Sequence, residues 1–161
     1  MSSTRTFRHI NAPKEVIYRA LLDAHAIEKW RAPVGMTCQV HEFDALEGGF
    51  FRVSLTYDVS TDAGKSSKNT DTYQGHFEKL VPNELVVELM EFETTDLGLQ
   101  GQMRITTLAD AKDGTDVIVV HEGIPTGVST ADNETGTRMS LNKLAATVET
   151  ARAHDGLEQL S

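Results

Sequence analysis

The chain has 161 residues, of which 24 are acidic and 15 are lysine or arginine, so its formal net charge is −9. This length predicts one domain over residues 1–161 that folds without covalent cross-links, and the single cysteine, Cys38, excludes an internal disulfide. The acidic balance disfavours nucleic acid and anionic lipid as partners. We expect a cytoplasmic protein without membrane insertion, because neither a membrane-spanning apolar run nor a signal-peptide pattern occurs.

The N-terminal region predicts a strand followed by two short helices. Residues Arg5 to Ile10 can form the strand. A helix then begins near Asn11, where the following proline costs little because its missing N–H lies in the first turn. Asp23 is placed to cap a second helix, which carries Trp30. Two helices between strands predict a connection that bridges one edge of a sheet to the rest.

The middle of the chain alternates apolar and polar side chains, which is the period of half-buried strands. Turn signals separate successive strands: Gly-Gly at 48–49, Pro-Asn at 82–83 and Asp-Gly at 113–114. Polar stretches at 60–69 and 94–101 predict loops. The predicted strands are Met36 to Phe43, Phe51 to Val59, Thr70 to Leu80, Glu84 to Phe92, Gln102 to Leu108 and Thr115 to Glu122.

A long closing helix is predicted from about residue 129 to 153, followed by a tail at 154–161. Leu141, Leu144 and Val148 recur at helical spacing and give one apolar face. Ser129 and Asp132 have the spacing of a capping box. The order of elements predicts an α+β fold in which a curved antiparallel sheet of six to seven strands wraps around this helix. Because sheet and helix diverge at one end, we expect a cavity between them.

Three stretches of the chain resemble one protein family. They read INAPKEVIYRALLDAHAIEKWRAP from residue 10, YQGHFEKLVPNELVVEL from residue 73 and HEGIPTGVSTADNETGTRMSLNKLA from residue 121. In this order they resemble the START-like (SRPBCC) helix-grip superfamily, and within it the AHSA-type branch named after the activator homologue of the heat-shock-protein-ninety ATPase. The resemblance implies a helix-grip fold with a cavity, and relatives that range from lipid carriers to polyketide cyclases leave the activity open. Thr137 stands where relatives commonly carry tryptophan, which implies that a large cavity-facing ring is missing.

The sequence contains no complete catalytic or metal-binding set. Its six histidines are scattered singly, so none has the spacing of a local metal pair, and no cofactor-binding glycine motif occurs. We therefore predict neither a metal nor a cofactor. His121, His76 and Tyr73 are the candidates for acid–base catalysis. His121 shares its parity with Val117 and Val119, which favours an inward direction, although the opposite parity is apolar as well.

Buried charges and large apolar side chains supply the candidate ligand contacts. An inward Arg104 would need a partner, because an unpaired buried charge is costly. Glu91 on the neighbouring predicted strand is one candidate, and the alternative is that at least one of the two faces solvent. Trp30 is expected near the cavity mouth. The residues predicted to contact a ligand are Trp30, Phe51, Tyr57, Tyr73, Met103, Arg104, His121 and Leu141.

Three functions are compatible with these observations. The leading hypothesis is binding of a small hydrophobic or aromatic molecule in the cavity between sheet and helix. The second is a cyclase, dehydratase or hydrolase that acts on a small hydrophobic substrate, with His121 or His76 as the base near Tyr73. The third is a chaperone-associated regulatory protein, as the family name implies. A homodimer formed through sheet edges or the short helices is a further expectation.

Overall fold

The computed structural model of the protein describes residues 2–58, 69–94 and 101–160. Val59, most of the predicted loop at 60–69 and residues 95–100 of the predicted connection lie outside this range. The helices in this part of the chain are α1 (Lys14–Leu21), α2 (Ala24–Trp30) and α3 (Thr130–Leu160), and the strands are β1 (Ser2–Ile10), β2 (Met36–Phe43), β3 (Phe50–Tyr57), β4 (Thr70–Val81), β5 (Leu85–Phe92), β6 (Gln102–Ala111) and β7 (Gly114–Ile124).

The strands form one antiparallel sheet in the order β1-β7-β6-β5-β4-β3-β2. Strands β2 to β7 are consecutive neighbours, whereas β1 pairs with β7 at the far edge. The helices α1 and α2 therefore carry the chain from one edge of the sheet to the other, as predicted. The helix-grip α+β fold is confirmed, and α3 continues to Leu160, past the predicted end near residue 153.

Side chains at the element boundaries explain where the helices begin. The carboxylate of Asp23 accepts hydrogen bonds from the backbone N–H groups of His25 at 2.8 Å and Ala26 at 3.1 Å, which caps α2. At the start of α3, the hydroxyl of Ser129 accepts a hydrogen bond from the backbone N–H of Asp132 at 3.2 Å. Both caps satisfy N–H groups that have no partner inside their helix.

The core lies between the inner face of the sheet and the apolar face of α3. Leu141, Leu144 and Val148 of α3 are buried there, as the helical spacing predicts. The sheet also depends on a close backbone approach between β4 and β5, because a Cβ atom at Gly75 would collide with the carbonyl oxygen of Leu89. Within the described residues, no helix is long and apolar enough to cross a membrane.

Candidate functional site

A cavity of about 770 Å³ lies between the inner face of the sheet and the first turns of α3. Apart from Met139, the side chains that α3 contributes here are small or polar, including Gly136, Thr137 and Ser140. Farther along the helix, Leu141 and Leu144 fill the space against the sheet. Small side chains on the first turns of α3 thus leave room between the helix and the sheet, and Thr137 lies on the cavity wall.

One wall of the cavity is apolar. The turn after α2 borders the same space with Pro33 and Val34, and Val34 is 70% exposed, so this turn marks the cavity mouth. Alternation along the strands places every second side chain on this wall. The apolar and aromatic residues that β2 to β5 contribute are Met36, Leu55, Tyr57, Tyr73, Met90 and Phe92.

The buried end of the cavity carries a row of polar side chains from three neighbouring strands. In the strand register, Glu88 of β5 is paired with Arg104 of β6, and Arg104 is paired with His121 of β7. Residues that are directly paired point to the same face of a sheet. All three side chains are therefore inward, and all three are buried.

A second guanidinium group reaches this row from the end of α2. Arg31 Nη2 donates a hydrogen bond to Glu88 Oε1 at 3.3 Å, and Arg104 Nε lies 3.7 Å from Glu88 Oε2. The three side chains are only 7–9% exposed. Arg31, Glu88 and Arg104, hereafter the buried charge cluster, thus hold two positive charges and one negative charge in a space from which water is largely excluded.

Trp30 supports the buried charge cluster from the core side. The guanidinium carbons of Arg31 and Arg104 lie 5.5 Å and 5.9 Å from the centroid of its ring. Its Nε1–H donates a hydrogen bond to the carbonyl oxygen of Ala20 at 2.9 Å, which fixes the ring. A desolvated cation–π contact contributes on the order of 2 kcal/mol. The indole therefore stabilises both positive charges.

The buried charge cluster shifts the pKa values of the groups within it and beside it. Burial, and then repulsion from Arg31, lower the pKa of Arg104 to about 10, so the group stays charged at neutral pH. Burial also disfavours the charge on Arg31, but attraction to Glu88 together with the effects of Tyr73 and Cys38 outweighs it and raises the pKa of Arg31 above its usual value. The two arginines also differ in their distance from Glu88: Arg31 lies within hydrogen-bonding distance at 3.3 Å, whereas Arg104 lies 3.7 Å away and makes no hydrogen bond to it.

The imidazole of His121 is neutral at this position. Burial, followed by repulsion from Arg104 and Arg31, lowers the pKa of His121 to about 2. The neutral ring has one nitrogen that donates and one that accepts. His121 therefore offers hydrogen bonding to the cavity and adds no positive charge at neutral pH.

Several buried polar atoms at this end of the cavity have no hydrogen-bond partner within the described part of the chain. They are Nε and Nη2 of Arg104, Nδ1 of His121 and Oε1 of Gln102. An unsatisfied buried polar group costs about 1–3 kcal/mol, and a charged group costs more. All three residues line the cavity. A polar group of a bound molecule could satisfy these atoms.

The structure places only part of the predicted ligand contacts on the cavity wall. Trp30, expected near the cavity mouth, is fully buried, because its ring packs beneath the two guanidinium groups. Phe51 and Leu141 also lie in the core, where neighbouring apolar side chains cover them. The predicted contacts that do line the cavity are Tyr57, Tyr73, Arg104 and His121.

Met103 and His76 lie on the other face of the sheet, where they border a separate depression. Alternate residues of a strand point to opposite faces. Met103 therefore points away from the cavity that its neighbour Arg104 lines. Of the three catalytic candidates, the structure brings His121 and Tyr73 together in the cavity and separates His76 from both.

The partner of Arg104 differs from the suggested one. Glu91 is exposed, and the carboxylate beside Arg104 belongs to Glu88. Strand β5 reads LVVELMEF, with apolar residues on both parities, so its sequence does not decide which glutamate points inward. Arg31 was not predicted as a site residue either, because its position beside Glu88 depends on how α2 folds back over the sheet.

The described part of the chain contains no group of three or more His, Cys, Asp and Glu side chains that could hold a metal ion. Burial raises the pKa of the Cys38 thiol to about 11, so it is protonated and weakly nucleophilic at neutral pH. Burial likewise raises the pKa of Tyr73 to about 12. The polar groups that the cavity offers are therefore guanidinium, neutral imidazole, phenol, hydroxyl and amide groups, together with the carboxylates of Asp71 and Asp132.

The chain is similar to a known protein family and to solved structures. Residues 11–149 match the family model described as Activator of Hsp90 ATPase homolog 1-like protein. A crystal structure of a protein from Chromobacterium violaceum is 34% identical, with a TM-score of 0.81 over 91% of this chain and 96% of that chain. No curated protein matches.

Two more distant structures share the fold. An AHSA1-like protein from Aeromonas hydrophila is 19% identical, with a TM-score of 0.72 over 93% of this chain and 94% of that chain. An AHSA1 protein from Silicibacter pomeroyi is 16% identical, with a TM-score of 0.75 over 93% of this chain and 99% of that chain. These likenesses bear on the fold alone.

Proposed function

The chain belongs to the family of Activator of Hsp90 ATPase homolog 1-like proteins, and on that premise we propose that it binds a small hydrophobic or aromatic molecule in the cavity between the sheet and α3. The observation that carries this proposal is the cavity itself, with its volume of about 770 Å³. Pockets for small organic ligands typically measure about 300–1,000 Å³ and combine apolar walls with a few polar groups. The family and the fold support a START-like ligand-binding domain in general.

The distribution of side chains around the cavity supports an aromatic or aliphatic ligand body. Tyr57, Phe92 and Leu55 give this wall apolar surface, and each is only partly buried in the protein alone. Asp71, which is paired with Leu55, is the acidic side chain on the same wall. A ligand placed against them would remove this apolar surface from water, which contributes about 25 cal/mol for each Å² covered. The exposed Val34 at the mouth extends the apolar path to the surface.

A neutral fluorescent probe tests the proposal directly. N-phenyl-1-naphthylamine should bind with an increase in its fluorescence, and the substitution Thr137→Trp should weaken its binding by about tenfold or more, because the indole would occupy the cavity. The matched control is Arg138→Trp, which places the same ring on the exposed side of α3. The Arg138→Trp protein should bind the probe as tightly as the unaltered protein does.

Native mass spectrometry of the protein purified from its own host completes the test. A retained small molecule would identify the ligand class, and organic extraction would recover it. The proposal fails if the protein retains no compound, the probe does not bind and no tested ligand class shifts the unfolding temperature. It also fails if the two tryptophan variants bind the probe equally well.

An enzymatic function is the second candidate, because His121 and Tyr73 both line the cavity. A general base works best when its pKa is close to the working pH. The pKa of His121 is lowered to about 2 by burial and by its positive neighbours, and the pKa of Tyr73 is raised to about 12 by burial. Proton transfer at neutral pH is therefore disfavoured in the protein alone, and binding is the better supported function.

Other expectations from the sequence stay predictions. A cytoplasmic location is consistent with a free cysteine whose raised pKa makes it unreactive. The chaperone-associated function rests on the name of the family alone. A protein with this function would stimulate a chaperone ATPase. Absence of stimulation would refute the chaperone-associated function. Homodimerisation is checked by the mass of the native protein in solution.

A further inference from the structure

We propose that the ligand carries an anionic group, such as a carboxylate, which binds against Arg104 at the buried end of the cavity. This inference rests on the proposed function and names the chemical class of its ligand. The molecule would be an amphipathic anion whose apolar body lies along the wall formed by Leu55, Tyr57 and Phe92. Its charged end would lie deep in the protein and its apolar end towards the mouth.

The positive charge buried around Arg104 is not balanced within the buried charge cluster. Arg31 and Arg104 share one carboxylate, so the buried charge cluster carries an excess of one positive charge. A buried charge without a compensating partner is strongly unfavourable. An anion that entered the cavity would offset this excess at the point where it is least compensated, which is Arg104.

Arg104 also has two hydrogen-bond donors that could bind such an anion. The Nε and Nη2 groups of Arg104 are both buried and lack hydrogen-bond partners among the described residues. These two donors lie on one edge of the planar guanidinium and match the two oxygens of a carboxylate. Glu88 cannot fill this role in its present position, because its nearest oxygen is 3.7 Å from Arg104 Nε and its other oxygen bonds Arg31.

Two acidic side chains, Asp71 and Asp132, also line the cavity and could compensate the positive charge of Arg104. Asp132 is exposed at the start of α3, so solvent screens its charge. Asp71 is buried on β4, and its side chain or backbone already takes part in another interaction. In strand β4, Asp71 lies on the same face as Tyr73. Of the carboxylates in the described part of the chain, Glu88 is the one whose charge acts on Arg104, and it is shared with Arg31, so the excess positive charge around Arg104 is maintained.

Neutral His121 strengthens the preference for an anion. Its Nδ1 atom is buried without a partner and lies on the strand next to Arg104. In the tautomer that carries the proton on Nδ1, the ring donates a hydrogen bond to an oxyanion. The guanidinium and the imidazole together would then bind an oxygen-bearing group that an uncharged apolar ligand lacks.

The experiment compares two probes that share one ring system and differ in charge. Naphthalene-1-carboxylate and naphthalene-1-carboxamide compete with bound N-phenyl-1-naphthylamine, and their dissociation constants are obtained from the loss of its fluorescence. In the unaltered protein, the carboxylate should bind at least about tenfold more tightly than the amide. Equal displacement by both, displacement by the amide alone or displacement by neither would overturn the proposal.

Two substitutions in the buried charge cluster should change carboxylate binding in opposite directions. Arg104→Gln should weaken it by about tenfold or more, and Glu88→Gln should tighten it, because the cavity then faces two uncompensated guanidinium groups. Binding of the amide should change by less than about twofold in both. Arg19→Gln, which removes an exposed positive charge on α1, is the matched control.

A thermal measurement keeps the test decisive when a substitution weakens the fold. The carboxylate should raise the unfolding temperature of the Glu88→Gln protein more than that of the unaltered protein, because it replaces the missing negative charge. An equal rise in both proteins would count against the proposal. Failure of N-phenyl-1-naphthylamine to bind at all would instead refute the proposed cavity function, so the two failures are distinguishable.

Discussion

The neutral state of His121 predicts a specific loss of stability in mild acid. Below the ordinary histidine pKa of about 6.5, the unfolded chain binds a proton at this position. The folded protein does not bind it until the pH approaches about 2, because burial and the two arginines lower the pKa of His121. The unfolded state therefore binds more protons between these values, and the free energy of unfolding falls as the pH falls.

The size of this effect follows from the number of pH units that are crossed. Each unit below the unfolded pKa costs about 1.4 kcal/mol for one group. Between pH 7 and pH 5, His121 alone should therefore reduce the free energy of unfolding by about 2 kcal/mol. This is a large share of the roughly 5–15 kcal/mol by which typical domains are stable.

Urea unfolding at pH 7 and pH 5 measures the effect. The substitution His121→Asn removes the titrating ring, so the variant should lose about 2 kcal/mol less than the unaltered protein between the two pH values. The matched control is His25→Asn, which removes an exposed histidine from α2. The control should lose as much stability as the unaltered protein does.

An equal loss in the unaltered protein and in His121→Asn would refute the reasoning. It would mean that the folded protein binds the proton as readily as the unfolded chain does. The imidazole would then be hydrated, or the two arginines would not act on it. In either case, the buried end of the cavity would not be a dry, positively charged site.

Three further predictions concern the fold, and each is checked by urea unfolding. Gly75→Ala should be strongly destabilising, because the new methyl group would collide with the carbonyl oxygen of Leu89. Gly136→Ala should be stabilising by up to about 1 kcal/mol, since glycine is unfavourable within a helix and the nearest atom to the new methyl group is 3.5 Å away, on Pro33. A destabilised Gly136→Ala protein would contradict this. Asp23→Ala should cost about 1 kcal/mol through loss of the α2 cap, and an unchanged unfolding midpoint would show that the cap contributes nothing.

The architecture was predictable from the sequence because its signals are local. Alternation along β3, with Phe51 and Val53 inward, follows directly from the two-residue period of a strand. The apolar spacing of Leu141, Leu144 and Val148 likewise identifies the face of α3 that packs on the sheet. A cavity between them followed from the divergence of a curved sheet and a straight helix.

The polar end of the cavity was predictable only in part because it depends on contacts between distant segments. The inward direction of His121 was inferred, whereas that of Arg104 was left open and its suggested partner was Glu91 rather than Glu88. Strand β5 is apolar on both parities, and only the register between β5 and β6 brings Glu88 to Arg104. Arg31 lies 57 positions before Glu88, and no periodic pattern connects the two.

The position of β1 at the sheet edge has a consequence for synthesis on the ribosome. This strand is made first, yet its partner is β7, so Ile10 has no strand to pair with until Thr115 has emerged. At about 5–20 residues per second, this delay lasts roughly 5–20 s. The waiting strand carries Arg5 and Arg8, and positive charges on an unpaired edge oppose association with other nascent chains. We therefore expect the first strand to complete the sheet last, after the hairpins from β2 to β7 have formed.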